Sequence, residues 1–505
     1  MTTAHDGLDA DSMGRVGYSS LYQVNTRVWL RELSGTLGRP ATLDDVPDSE
    51  LDRLARLGFD WVWFLGIWQT GEAGRQVSLD NAEWRREYLQ LLPDPDDTDI
   101  CGSCFAITAY TVHADLGGNA ALARLRDRLH ARGLRLLLDF VPNHTALDHP
   151  WVQERPEFYV SGTESDLARE PHNYCQVQTA RGSQVLAYGR DPHFPGWPDT
   201  LQLNYGHPPL QEAMRSELAG IAGRCDGVRC DMAMLILPEV FQRTWGVAAE
   251  PFWPLAIQRV RAQHPDFLFI AEVYWDLEWT LQQQGFDYTY DKRLYDRLRD
   301  RHAGPVRDHF RAEMEFQRKL VRFLENHDEP RAAETFPPAV HRAAAVLAFL
   351  CPGLRFFHQG QFEGRKKRIP IHLCRGPSET TDPEWREFYE HLLRCVHHPA
   401  VRDGEWRLLE CTPAWEGNWT WNGFIAFAWR GWNGQRLLVT VNYAGNQGQC
   451  CVRLPFQDIR GQVIRLNDLM GSASYHWEGD PLLFPGLYLD MPEWGYHVFE
   501  VVPAR

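Results

Sequence analysis

The chain has 505 residues, 44% of them hydrophobic and 24% charged, enough apolar mass for a large core and for two or three domains, which excludes a disordered chain. Its formal net charge of −15 repels phosphate backbones and anionic lipid heads, so neither nucleic acid nor a membrane is expected as the main partner. A neutral ligand fits this charge.

The N-terminal stretch from Met1 to Ser20 carries no basic region followed by an apolar run, which predicts no secretory leader and a cytoplasmic location. The first strand is expected at Val24 to Trp29. Leu51, Leu54 and Ala55 then sit at helical spacing, Gly58 supplies a left-handed stop, and Trp61 to Leu65 reads as a buried strand. The unit recurs: Asn119 caps a helix carrying Leu122, Leu125 and Leu129, Gly133 ends it, and Leu134 to Phe140 is the next strand. Both strands are apolar without alternation, the pattern of strands covered on both faces by helices.

Between these units, Cys101-Gly-Ser-Cys104 has half the spacing of a zinc site, but no second pair or His doublet accompanies it. Eleven cysteines cannot all pair, and their scatter predicts mostly reduced thiols. From about Thr145 to Tyr205 the chain turns rich in Pro, His, Gly and Asp, too long for an ordinary loop, and is read as an inserted small domain over 145–205. Further strands are expected at Val228 to Asp231, Phe267 to Glu272, Phe286 to Tyr288, Leu320 to Asn326 and Leu354 to Phe357. Right-handed crossovers through such strands close a (β/α)8 barrel over 1–144 and 206–402, with its chemistry at the C-terminal strand ends. A doubly wound open sheet is the alternative, weakened by the absence of a Gly-rich turn after the first strand. Beyond Asp403 the helical pattern fades; Phe424 to Arg430 and Arg436 to Asn442 flank Gly-Trp-Asn-Gly as a hairpin, so 403–505 is expected to be an all-β sandwich domain.

Polar residues end four of the strands. The third runs into Asp139-Phe-Val-Pro-Asn143-His144, the fourth is Gly227-Val-Arg229-Cys-Asp231, the fifth ends in Glu272, and the seventh ends Glu325-Asn-His327-Asp328. Retaining glycoside cleavage needs two carboxyls roughly 5–5.5 Å apart, one attacking the anomeric carbon and one protonating the leaving oxygen. Adjacent barrel strands supply that spacing. Alternation along the fourth strand puts Arg229 on the side of Asp231, where a guanidinium holds the carboxylate ionised and aimed, as a nucleophile requires. Glu272 has no charged neighbour in sequence, and the apolar run before it favours the protonated form that suits a general acid. Asp139 lies deeper than the strand tip and is read as structural.

With these four segments in this order from about Tyr22 to Gln361, the sequence resembles the α-amylase family of glycosidases. The resemblance implies that Asp328 grips sugar hydroxyls in the transition state, that His144 and His327 bind hydroxyls, and that Phe105 stands where the family has a stacking Tyr. It also implies a calcium ion near Asn143. Here, however, the third and fourth residues after the nucleophile are Met234 and Leu235 in place of Lys and His, so no calcium and no required cofactor are expected. Trp197-Pro-Asp-Thr-Leu-Gln-Leu-Asn204 is similar to a further family segment without naming the substrate. The basic run Arg365 to Arg368 is read as a solvated loop, with an anionic sugar substituent as the alternative. Large aromatics are usually core, so none of the twenty tryptophans is singled out. Three functions stay open: hydrolysis of malto-oligosaccharides or related α-glucosides, transglycosylation through the same intermediate, and a silent sugar-binding scaffold. Oligomeric state is left open.

Overall fold

The computed structural model describes residues 17–504; the segment read for a leader lies mostly in residues 1–16, outside the described residues. Eight parallel strands close a barrel, labelled here β1 (Ser20–Asn25), β2 (Trp61–Leu65), β3 (Arg135–Phe140), β4 (Gly227–Cys230), β5 (Leu268–Ala271), β6 (Tyr288–Tyr290), β7 (Leu320–Arg322) and β8 (Leu354–His358). Each pairs with its sequence neighbours and β8 closes on β1. This is a (β/α)8 barrel. Every residue of β2 and the run Leu136–Phe140 of β3 is buried, which is why those strands read as unbroken apolar stretches.

Three strands differ from expectation. The first begins earlier, at Ser20, and helix Thr26–Leu37 has already started where a strand was predicted to continue. Gln23 points into the barrel, where it meets His327, and Ser20 on the opposite face is also fully buried, so polar residues within the strand masked it. The sixth strand pairs from Tyr288 rather than Phe286, because Phe286 and Asp287 form the lead-in, with Asp287 accepting from the Phe269 amide at 2.8 Å. The seventh ladder stops at Arg322, and the chain to His327 continues buried but unpaired up to the barrel rim. Gly58 and Gly133 are left-handed as expected, with φ of 84° and 73°. Asn119 lies inside helix Gly118–His130 instead of capping it; its side chain accepts from the Val112 amide at 3.0 Å.

After β3 a four-stranded antiparallel sheet rises from the rim, in the order His144–Ala146, Trp197–Gln202, Gly182–Gly189, Tyr174–Thr179. Beyond the barrel, a six-stranded and a three-stranded antiparallel sheet enclose a second core that includes Leu438, Cys450 and Phe499. The expected hairpin is present, with Phe424–Arg430 paired to Arg436–Asn442. This part is anchored to the barrel helices through Trp429 Nε1 donating to the Leu350 carbonyl at 2.8 Å and Tyr443 Oη to the Leu298 carbonyl at 2.7 Å. Among the described residues no helix is long and apolar enough to cross a membrane.

One buried charge network braces the barrel between β6 and β7. Asp291 meets the guanidinium of Arg322, accepts from the Leu294 amide at 3.1 Å and faces His309 Nε2 at 3.0 Å, with Asp291 and Arg322 both buried. Burial alone would raise the Asp291 carboxyl, but His309 and Arg322 outweigh it and hold it well below the usual carboxylate range. A depressed folded-state pKa stabilises the fold above the unfolded carboxylate range and is lost on acidification. Asp291→Asn strands Arg322 and is expected to cost about 3–5 kcal/mol at pH 7, read from urea midpoints, with the penalty narrowing below about pH 4.

Candidate active site

The site is assembled by register. Arg229 of β4 pairs with Asp139 of β3, and Cys230 pairs with both Phe140 and Ala271 of β5. Asp231 and Glu272 are therefore each one residue beyond a paired position, at the same height on adjacent strands. The ladder continues through them: the Asp231 amide donates to the Phe140 carbonyl at 2.8 Å and the Glu272 amide to Cys230 at 3.0 Å.

Arg229 collects the two carboxyls. Its Nη1 lies 2.5 Å from Asp231 Oδ1 and its Nη2 lies 2.7 Å from Glu272 Oε2, with Asp328 Oδ2 at 4.0 Å. The guanidinium is sandwiched in aromatic faces, 5.5 Å from the Trp63 ring, 5.3 Å from Phe105 and 5.8 Å from Tyr290. Glu272, for which the sequence offered no partner, thus has Arg229, and also accepts from Tyr274 Oη at 3.0 Å and the Met232 amide at 2.7 Å. Met232 takes a left-handed backbone, φ 41°, as it aims that amide. Burial pushes the Glu272 carboxyl up to about 7; Arg229 opposes this, while Asp231 and Asp328 add to it.

Asp328 is the most open of the three, its side chain 42% exposed, and lies 3.0 Å from His327 Nε2. Burial of its surroundings raises it, but His327 and Arg229 prevail and bring it to about 2. His327 Nδ1 is fixed by Gln23 Nε2 at 2.9 Å, and its ring packs on Phe105 at 5.6 Å. His144 is buried beside Trp197, ring centroids 5.2 Å apart, and burial lowers its pKa to about 4. Asp139 lies below, accepting from the Gly66 amide at 2.8 Å and Trp63 Nε1 at 3.2 Å. Of the residues singled out from sequence, Phe105, His144, Asp231, Glu272 and Asp328 line one cavity of about 280 Å³. Arg229, His327, Asp139 and Asn143 stand behind it.

The segment 48–383 matches the family model for the α-amylase catalytic domain. The chain belongs to the α-amylase family. Among curated relatives, an α-amylase MalA from Haloarcula japonica is 24% identical over 69% of this chain and 45% of its own length. An α-1,4-glucan:maltose-1-phosphate maltosyltransferase from Burkholderia pseudomallei is 26% identical over 72% of this chain and 28% of its own length. The chain thus spans less than half of either relative. Among solved structures, the noncanonic maltogenic α-amylase AmyB from Thermotoga neapolitana superposes with a TM-score of 0.68 at 19% identity, covering 96% of this chain and 98% of that one.

The calcium that the α-amylase family resemblance implied meets a donor set that does not fit it. Asn143 Oδ1 accepts from Gln202 Nε2 at 2.9 Å and its Nδ2 donates to Gln202 Oε1 at 3.1 Å, so the two carboxamides are closed on each other. Met234 and Leu235 are buried apolar side chains that offer no donor. Two side chains of the basic run are committed, Arg368 pairing with Glu87 at 2.6 Å and Arg365 facing Glu32 at 3.6 Å, while Lys366 and Lys367 donate only their backbone amides to Glu379.

Sequence reasoning missed several residues lining the cavity, among them Trp84, Trp197, Tyr274, Ile371 and His372. Tyr274 was findable, being two residues after Glu272 and so on the same side of an extended chain. Trp84 and His372 carried no signal, since their stacking, 4.1 Å between centroids at 22°, joins a helix after β2 to a loop after β8, far apart in sequence.

A carboxyl raised in the folded state stabilises below its unfolded pKa and loses that contribution as pH rises through the folded value. For Glu272 the window runs from about 4.3 unfolded to about 7 folded. Glu272→Gln is therefore expected to raise Tm relative to the parent, and by more at pH 8 than at pH 5, in paired thermal melts.

Proposed function

We propose that the protein is a retaining glycosidase that acts on α-glucosidic bonds at the non-reducing end of short malto-oligosaccharides or related α-glucosides. The observation that carries this reading is the single buried guanidinium bridging Asp231 and Glu272. Two carboxyls sharing one cation stand close together, the arrangement retaining chemistry uses, whereas inversion leaves a wider gap for water.

Asp231 is the nucleophile: an oxygen of its carboxylate attacks the anomeric carbon while Glu272 gives its proton to the leaving glycosidic oxygen. Glu272 then removes a proton from the incoming acceptor as that acceptor displaces Asp231, restoring the α configuration. A carboxyl near 7 is matched to giving and retaking a proton at neutral pH. His144, neutral at that pH, donates to a hydroxyl without adding positive charge beside the developing oxocarbenium ion. Asp328, ionised, binds hydroxyls of the distorted ring, His327 assists it, and Phe105 offers a face to the sugar. Asp139 and Asn143 serve the frame. Convergence of three carboxyls on one cavity speaks against a silent scaffold.

The direction of attack follows from position around the barrel. Glu272 meets the leaving group, so the aglycone lies on the β4–β5 side, with Met232 and Tyr274. His372 and Ile371 follow β8, which stands across the closed barrel from β4. Their wall, backed by Trp84 on helix Ala82–Leu91, closes the side where further glucosyl units would extend. A cavity of about 280 Å³ suits a terminal unit. Whether water or a second sugar accepts the glucosyl is decided on the aglycone side, and one assay reads both outcomes. An odd number of cysteines and a neutral substrate support a reducing, cytoplasmic setting without nucleic-acid or membrane partners.

The test is a panel of α-glucosides from maltose to maltoheptaose, with trehalose, sucrose and isomaltose, followed by NMR. The parent is expected to release sugar first formed as the α anomer, and Asp231→Asn to lose at least about 10³-fold in kcat; a β product or an undiminished variant rejects the assignment. The kcat of the parent should fall as pH rises through about 7, the value at which Glu272 loses its proton. A malto-oligosaccharide blocked at its non-reducing end should resist the parent and yield to a Trp84→Ala, His372→Ala variant.

A further inference from the structure

Cys101 and Cys104, three residues apart in sequence, part company in the fold. Cys104 is buried against Gly66, where a Cβ on that glycine would meet its Sγ at 2.8 Å. Cys101 turns the other way, toward the segment after β8, where an antiparallel bridge joins Ile100 to Leu373. The Cys101 amide donates to the His372 carbonyl at 2.8 Å and the Cys374 amide to the Asp99 carbonyl at 2.9 Å. This register puts Cys101 and Cys374 on one face of the bridge, at diagonal positions, where Cys101 Sγ donates to the His372 carbonyl at 3.3 Å and Cys374 Sγ to the Asp99 carbonyl at 3.4 Å. Both are partly exposed and line a cavity of about 790 Å³ on the outside of the sugar pocket, which they share with Arg27 and Arg31.

The two segments are walls of the active site. Two residues beyond Cys101 is Ser103, and two before Cys374 is His372, both lining the cavity that holds Asp231 and Glu272. Diagonal partners across an antiparallel pair stand roughly 7–8 Å apart, whereas a disulfide draws its Cα atoms to about 5.5–6 Å. Joining these sulfurs must therefore shear the bridge by roughly an ångström or more.

We propose that Cys101 and Cys374 form a peroxide-sensitive dithiol whose disulfide displaces the pocket wall and lowers turnover. The Cys101 thiolate attacks hydrogen peroxide, forming an S–O bond as the O–O bond breaks and hydroxide leaves to take up a proton. The Cys374 sulfur then attacks the Cys101 sulfur, the S–O bond breaks, and the second water departs with the Cys374 proton. Two thiols and one peroxide give one disulfide and two waters. Arg27, whose Nη1 donates to the Cys101 carbonyl at 3.4 Å, stands beside Cys101 and favours its thiolate. This fits Cys101 as the attacking sulfur and Cys374 as the resolving one.

The effect on turnover rests on the glycosidase reading; formation of the disulfide does not, so peptide mapping and activity fail separately. The full chain is reduced, titrated with hydrogen peroxide, alkylated with iodoacetamide and digested for mass spectrometry. The expected result is a Cys101–Cys374 cross-linked peptide formed before any other cysteine is modified. In Cys374→Ser, dimedone should trap a sulfenic acid on Cys101. Parent kcat/KM should fall several-fold and return with dithiothreitol, since a displacement of about 1 Å can cost 10²-fold, while Cys101→Ser and Cys374→Ser keep their activity under the same dose. Alkylation of both thiols at a peroxide dose that oxidises other cysteines, or equal loss of activity in parent and both variants, overturns the proposal.

Discussion

The guanidinium of Arg229 sits with 1% exposure inside the barrel, and everything at the site is arranged around its charge. A buried cation without partners is prohibitively costly. Asp231 and Glu272 supply the compensation from adjacent strands, and three aromatic rings shield what remains. The dependence runs both ways, because two carboxyls this close repel each other unless a cation lies between them. Arg229 leaves the pair unequal: Glu272, fully buried, is driven up to about 7, while Asp328 at the open rim is drawn down by His327. Unequal carboxyls in one pocket are what acid–base chemistry through a covalent intermediate requires.

Parallel register makes this geometry inevitable once β3, β4 and β5 are in place. Pairing of Arg229 with Asp139 and of Cys230 with Ala271 leaves no freedom in the relative heights of Asp231 and Glu272. Slipping one strand by a single residue would turn Arg229 outward into the helix layer. Asp139, bonded to Trp63 and the Gly66 amide, resists such a slip by pinning β2 to β3 just below the site.

The sequence made this framework readable because barrel strands carry their own signature: continuous apolar runs ending in polar tips. Asp231, Glu272 and Asp328 were legible for that reason, and Arg229 through alternation. What escaped has a common physical cause. Ser20 and Gln23 are polar yet buried, so β1 was displaced toward Trp29. Glu272 seemed unpartnered because its cation arrives from the neighbouring strand, across a crossover no local pattern encodes. The stack of Trp84 on His372 unites segments on either side of most of the barrel, and neither residue differs in sequence from an ordinary surface or core aromatic.

Legibility therefore divides along the same line as function. Strand tips carry Asp231 and Glu272 and declare themselves by periodicity, while the loops beyond β2 and β8 line the same cavity and declare nothing. The bridge between Ile100 and Leu373 is where these two loops are coupled, and a satellite core of Tyr88, Leu92, Ile100 and Leu373, with Trp84 packed against it, backs the wall of the pocket. That small cluster supports both Trp84 and His372, and neither Arg229 nor its carboxyls belong to it. In barrels of this fold the loop segments can vary while the charge arrangement at the strand tips stays fixed by register.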